Sequence, residues 1–369
     1  MLVGIIDADL VGCKKHRFPN LACMKLSGYH KEKGDTVKLL TSYDIEEYDL
    51  VYISKVFTET PIDETILENE KVKYGGTGFF FDKAPPLPDE IEHHMPDYHL
   101  YDEWIESQLK LGRKKSEFED YLNASIGFTT RGCIRQCGFC VNKKYKEVKR
   151  HSSLSEFVDP ERKYICLLDD NILAYKGWEN IFDELQATGK PFKYKQGMDE
   201  RVLTPRKCEV LDSSKYKGDV TFAFDRIEEK ELIEEKLKLW RSYSNKPTKL
   251  YVLCGYDEEE KYDESFWVKD IASVFERIAI LNKYKSLPYV TRYEKYKESP
   301  YRGMYITLAR WCNQPAAYKS KSFREFCEWN GENSASMRYM KEFEAKYPYI
   351  ANMYFDMKYS KYIGEERCA

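Results

Sequence analysis

No stretch of this 369-residue chain approaches 18 consecutive apolar residues, so no transmembrane helix is expected. The opening MLVGIIDADLVG has no basic leader, and its apolar run is shorter than a signal-peptide core. Charge of neither sign is in excess: 59 Lys and Arg stand against 62 Asp and Glu, a formal net charge of −3. Nothing global therefore pulls the chain towards nucleic acid or an anionic membrane, although local basic patches stay open. Internal repeats and low-complexity tracts are absent. The 11 cysteines are an odd number and follow no secretory signal, so they read as reduced cytoplasmic thiols, some of them metal ligands.

What is present describes a globular chain too long for one ordinary core, and two domains are expected. Hydrophobic residues make up 42% and charged residues 33%. Tyrosine is abundant at 30, beside 19 Phe and 6 Trp. Such a supply can line pockets, or serve as half-exposed core material.

Short apolar runs alternate with helical text from the start. LVGIID at 2–7 is β-like, 19–33 is helical, and TVKLL, LVYISKVF and KVKYGG follow as strands. That alternation predicts a small Rossmann-type open-sheet domain over residues 1–95. Residues 82–100 carry four prolines and no clean period, and read as a linker; helical text follows at 101–122. A second alternation starts at 123 with SIGFTT, then YICLLDD, FKYKQGMD, VTFAFD, KLYVLCGYD and PYVTRY. Six β/α units predict an incomplete (β/α) barrel over 123–315, after a linker and helix at 96–122. A helical C-terminal extension at 316–369 completes the chain. The fold class is α/β throughout.

The segment Thr130-Arg131-Gly132-Cys133-Ile134-Arg135-Gln136-Cys137-Gly138-Phe139-Cys140 spaces three cysteines as C-x3-C-x2-C. Three thiolates on one compact loop can ligate three irons of a cubane and leave the fourth iron open. An open position is what a catalytic metal needs. Gly132 and Gly138 let the backbone wrap closely. The loop follows a strand, which places it at the carboxyl end of a barrel. Structural zinc is the alternative; it needs a fourth ligand, for which His151 is the nearest histidine after the motif.

This motif, with an aromatic before the last cysteine and a strand before the first, resembles the radical SAM superfamily over residues 123 to about 312. The resemblance implies a partial (β/α)6 radical SAM barrel with one [4Fe–4S] cluster on Cys133, Cys137 and Cys140. S-adenosylmethionine (SAM) would chelate the open iron. Reductive cleavage of SAM to a 5′-deoxyadenosyl radical would then lead to hydrogen abstraction from a substrate not named by the sequence. A one-electron donor such as flavodoxin or ferredoxin is also implied. The protein supplies positioning and water exclusion around that cofactor chemistry.

The resemblance further assigns candidate SAM contacts. Phe139 lies beside the cluster. Asp169, Asp170 and Asn171 stand where the family binds the methionine ammonium; the alternative is a cap or turn before the next helix. Gln196 and Asp199 could bond ribose or substrate, and Arg201 could pair with the SAM carboxylate, unless Asp199 and Arg201 simply pair with each other. Asp225 could face ribose, and Gly255 resembles the glycine that lets backbone approach adenine. Cys254 reads as a core thiol.

Residues 1–95 resemble the cobalamin-binding domain that precedes many such barrels, on strand order, Asp7 and Asp9, Phe18-Pro19-Asn20 and Gly75-Gly76-Thr77-Gly78. The D-x-H-x-x-G ligand motif is absent, and His16 in a Lys/Arg-rich turn is the nearest histidine. Cobalamin is therefore possible but not favoured. Residues 288–327 interleave basic and aromatic residues, so a nucleic-acid substrate is conceivable, with Arg292, Tyr293 and Arg310 facing the pocket. Otherwise they form a closing strand and buried helix. Cys312, Cys327 and Cys368 are too sparse for a second cluster, and His93, His94 and His99 read as surface. Three functions compete: a cobalamin-independent radical SAM enzyme, a cobalamin-dependent radical SAM methyltransferase, and a non-catalytic Fe–S or zinc module.

Overall fold

A computed structural model describes residues 1–13, 16, 18–143 and 145–359. Lys14, Lys15 and Arg17 of the basic turn, and Cys368 with the end of the helical extension, lie outside the described residues. The chain divides into two compact units, Met1–Lys195 and Gln196–Ala369.

In the first unit, β1 (Leu2–Asp7), β2 (Thr36–Leu40), β3 (Leu50–Ser54) and β4 (Val72–Gly75) form one sheet in the order β2-β1-β3-β4. Every pair is parallel, with Ile5 opposite both Leu39 and Tyr52. β1 is the continuous apolar run and is central, buried from Val3 onward; β2 alternates and lies at the edge. The helix Leu21–Glu32 starts where Asn20 accepts hydrogen bonds from the Ala22 and Cys23 amides. It buries Cys23, Met24 and Leu26 in a core shared with Ile91, Tyr98, Leu100, Tyr101, Ile105, Phe118 and Tyr121. The proline-bearing stretch thus carries three core residues, although its only regular element beyond 83 is the short helix Asp89–Glu92.

The same unit continues with β5 (Ala124–Gly127), the two-residue β6 (Thr130–Arg131) and β7 (Lys149–Arg150), β8 (Tyr164–Leu167) and β9 (Phe192–Tyr194). β5, β8 and β9 make a parallel sheet in that order, while β6 and β7 pair antiparallel and close a loop that contains all three motif cysteines. The crossover helix Trp178–Ala187 buries Ile181, Phe182 and Leu185, one apolar face.

The second unit holds β10 (Val220–Ala223), β11 (Thr248–Cys254) and β12 (Ser286–Arg292), parallel and in that order. Helices Lys230–Tyr243 and Glu264–Lys283 connect them. Ile233, Leu237 and Trp240 recur at helical spacing and are fully buried. Helices follow from Arg302 to Tyr354, the first of them ahead of the 316 start expected for the helical extension. The six strands anticipated after residue 123 are β5, β8, β9, β10, β11 and β12. Among the described residues no helix is long and apolar enough to cross a membrane.

Candidate metal centre

Cys133, Cys137 and Cys140 are free thiols of intermediate exposure on the loop between β6 and β7. Gly132 enters that loop at φ 100°, and a Cβ there would lie 2.1 Å from the Glu147 carbonyl oxygen. Glycine is therefore required both for the dihedral and for the close approach of the loop's two arms. Cys140 N–H donates to the Cys137 carbonyl at 3.0 Å and folds the last two cysteines into one turn.

N–H groups point at two of the sulfurs. Arg135 N–H and the Asn171 side-chain amide each donate to Cys133 Sγ at 3.3 Å, and Asn142 N–H donates to Cys140 Sγ at 3.4 Å. Donors of this kind suit thiolates, whose negative charge they disperse. Burial, with Asp170 and Cys133 nearby, pushes the Cys140 thiol up from its ordinary range.

The loop is braced from the end of β8, the strand paired with β5. Asp169 is 2% exposed and accepts from four donors: the Thr129 and Thr130 amides and both hydroxyls. Three of these bonds go to Oδ1 and one to Oδ2. Asp170 accepts from Gly132 N–H at 2.7 Å and from the Asn142 side-chain amide. Asn171 reaches Cys133 and makes no cap bond to the turn Ile172–Ala174 that follows it. The sequence offered these three residues for the ammonium of a ligand or as a cap; in the structure they grip the cysteine loop. Arg131 lies over the Phe128 ring at 3.5 Å and contacts Glu92 at 3.4 Å.

Among the described residues no three His, Cys, Asp or Glu side chains, the motif cysteines included, converge to hold a metal ion. His151, the fourth ligand zinc would want, has Nδ1 at 2.9 Å from Ser152 Oγ and Nε2 at 3.5 Å from Glu92. Its ring stacks on His93 at 5.0 Å, and burial, with Arg131 nearby, pushes its pKa down to about 4. His93 and His94 are accordingly not idle surface groups; they pair with Glu156 and Glu32, while His99 is 75% exposed.

The remaining candidates belong to the second unit. Gln196 is exposed. Asp199 Oδ1 accepts from Arg201 Nε at 2.6 Å, and Arg201 Nη1 bonds both oxygens of Glu229 at 2.7 and 2.8 Å. Asp225 Oδ1 accepts from Leu253 N–H, and burial raises its pKa to about 6 against the field of Arg277. Gly255 sits at φ 76° and donates its N–H to Asp270 at 2.7 Å. Cys254 is a buried thiol directed at the Thr291 carbonyl. Arg292 lies over Tyr296, Tyr293 packs on Tyr256, and Arg310 bonds Ser336 and Asn330. Tyr305, Trp311, Tyr318, Phe323 and Phe326 are at most 1% exposed, and so cannot stack on bases.

Several residues here escaped the sequence reading. Asn142 lies two positions past Cys140, and its place in the motif was the one signal available. Glu200 and Arg277 are buried and Asp270 is half-buried; the last two reach strand ends from the helix Glu264–Lys283, and no spacing marks them. Glu200 accepts from Ala223 N–H through one oxygen, and the other has no partner. Burial pushes its pKa up to about 8.

At the carboxyl ends of β1 and β3, where a doubly wound sheet takes its ligand, the chain bonds to itself. Tyr101 donates to Asp7 at 2.8 Å, Asn20 to Ser54 at 2.9 Å, and Asp9 accepts from the Val56 and Phe57 amides and the Thr60 hydroxyl. His16 Nδ1 is bonded to Tyr121, and burial lowers its pKa. Gly76, at φ 109°, lies against the Lys55 carbonyl, where a Cβ would come within 2.2 Å. The residues offered for cobalamin thus hold the sheet end together.

No family model and no curated protein matches the sequence. The fold is similar to that of TsrM, a radical S-adenosylmethionine methyltransferase from Kitasatospora setae. One solved structure has cobalamin and a [4Fe–4S] cluster bound; the likeness has a TM-score of 0.51 at 13% identity, over 79% of this chain and 74% of that one. Another has tryptophan substrate and the SAM analogue aza-SAM bound, at the same TM-score and identity, over 79% and 72%. At this identity the likeness speaks of the fold: mixed α/β with parallel sheets and many helices.

Proposed function

We propose that the chain is a radical SAM enzyme whose [4Fe–4S] cluster is held by Cys133, Cys137 and Cys140. The observation that carries this is the three-thiol loop, half-exposed and supplied with N–H donors, fixed at the carboxyl end of parallel strands. The reading takes the six parallel strands as the units of a partial (β/α)6 barrel over 123–315. Residues 1–95 form the open-sheet domain, 96–122 the connecting segment and 316–369 the helical extension. When bound, cluster and SAM supply one-electron chemistry: reductive cleavage of SAM leading to hydrogen-atom abstraction from a substrate.

The chain's own residues do the rest. Asp170 takes two donors and keeps lone pairs for an ammonium. Asp169 fixes the strand end that leads into the loop. In the second unit Gln196, Asp199, Arg201, Asp225 and Gly255 are the proposed ligand contacts, with Arg201 oriented by Asp199 and Glu229. The partners of this reading are SAM, a one-electron donor of the flavodoxin or ferredoxin class, and a substrate; the location is the cytoplasm. Anaerobic incubation of the loaded chain with dithionite and SAM tests it. Formation of 5′-deoxyadenosine and methionine is expected, and their absence would leave a binding or electron-transfer module in its place.

A second reading is a cobalamin-dependent methyltransferase. The order β2-β1-β3-β4 supports it, as does the fold likeness to a chain solved with cobalamin bound. The first reading needs only cluster and SAM, and so leaves cobalamin outside its chemistry. Addition of hydroxocobalamin followed by gel filtration decides: retained corrin absorbance would establish the second reading, and its loss would remove it.

A further inference from the structure

We propose that Asp170 and Asn171 are positioning residues for the cluster loop: Asp170 ties its two ends together, and Asn171 sets the charge carried by Cys133. The inference rests on the reading that this loop holds a [4Fe–4S] cluster.

The geometry of Asp170 is that of a staple. One oxygen accepts from Gly132 N–H, the residue before Cys133; the other accepts from the side chain of Asn142, two residues after Cys140. A single carboxylate thereby closes a ring around all three cysteines. Other ties within the loop include the two-residue β6–β7 ladder, the turn from Cys137 to Cys140 and the Gln136 side-chain amide on the Tyr145 carbonyl. Loop-closure entropy makes such a tie valuable, since an open loop must be ordered each time metal is taken up.

Asn171 acts on one sulfur. It is 3% exposed, and its side-chain N–H reaches Cys133 Sγ at 3.3 Å. The other two N–H groups on the cysteines are backbone amides, of Arg135 and Asn142. Asn171 is therefore a donor that a substitution can remove while those amides stay. Hydrogen bonds to ligating sulfurs are among the factors that set the reduction potential of an iron–sulfur cluster. Spreading thiolate charge favours the reduced, more negative state, and in a buried site the effect is stronger than in water.

The test is an EPR-monitored potentiometric titration of the full-length, anaerobically loaded chain. Asn171→Leu keeps the volume and removes the donor. Its reduction equilibrium is expected to become about tenfold less favourable, about 59 mV to the negative side for a one-electron couple. Asn171→Asp replaces the donor with a charge and is expected to shift at least as far in the same direction. An unchanged midpoint in either variant overturns the role of Asn171. A wild-type chain that takes up no iron overturns the underlying reading instead, so the two failures are separable. The staple has a readout that needs no cluster: amide hydrogen exchange of the apo chain. Asp170→Ala should speed exchange at Gly132 about tenfold while the core of β8 keeps its protection, and an unaltered Gly132 rate overturns the staple.

Discussion

At the scale of single residues, buried charge has consequences that can be measured. Glu200 is fully buried and keeps its proton to about pH 8, whereas in the unfolded chain it ionises near 4.5. The native state therefore binds more protons between those values, and its stability falls as pH rises through that window, then levels off. Glu200→Gln should remove this slope. In urea unfolding the variant should match the wild type near pH 4.5 and exceed it by a few kcal/mol at pH 9. A wild-type midpoint independent of pH over the window would contradict the assignment. Nothing in Met198-Asp199-Glu200-Arg201 distinguishes Glu200 from a solvated turn residue, because the sequence shows residue types and not which of them faces inward. The aspartates after β8 make the same point. Their place at a strand end was expected from the resemblance, but which donors fill their oxygens was not legible.

Elements carry the second set of expectations. The cysteine loop depends on Gly132, where φ is 100° and a side chain would meet the Glu147 carbonyl. Gly132→Ala should therefore leave the far-UV circular dichroism unchanged while iron uptake falls by more than half. Normal uptake would mean that the two arms of the loop need not approach. In the second unit the ends of β10 and β11 are pinned by Arg277, 1% exposed, whose Nη1 donates to the Phe224, Asp225 and Leu253 carbonyls at 2.9 Å. Arg277→Ala should cost about 3–5 kcal/mol in denaturant unfolding, because Asp225 and Asp270 lose their buried counter-charge. A loss under 1 kcal/mol would show that the pin is dispensable. Strands and helices were legible in the sequence because runs such as YICLL and VTFAF bury on both faces, and helix Lys230–Tyr243 repeats its apolar residues at 3.6 spacing. The stretch 82–100 was not: its prolines hid Ile91, Tyr98 and Leu100, three isolated apolar anchors without a period.

On the scale of the whole molecule, a nearly neutral chain of 369 residues is built from parallel sheets whose carboxyl ends gather its polar chemistry. Two of those ends differ in what they offer. At β5 and β8 three sulfurs are left half-exposed, with N–H donors on Cys133 and Cys140; at β1 and β3 the polar groups bond one another. That contrast is why the proposed metal chemistry is assigned to the cysteine loop. It is also why the triplet was readable from spacing alone, whereas the fate of Asp7, Asp9 and His16 required coordinates. The most direct measurement is iron and acid-labile sulfide per chain after anaerobic reconstitution, for the wild type and for Cys137→Ala. The account predicts about four of each in the wild type and a loss of most of both in the variant. One equivalent of zinc, or iron that Cys137→Ala retains in full, would contradict it.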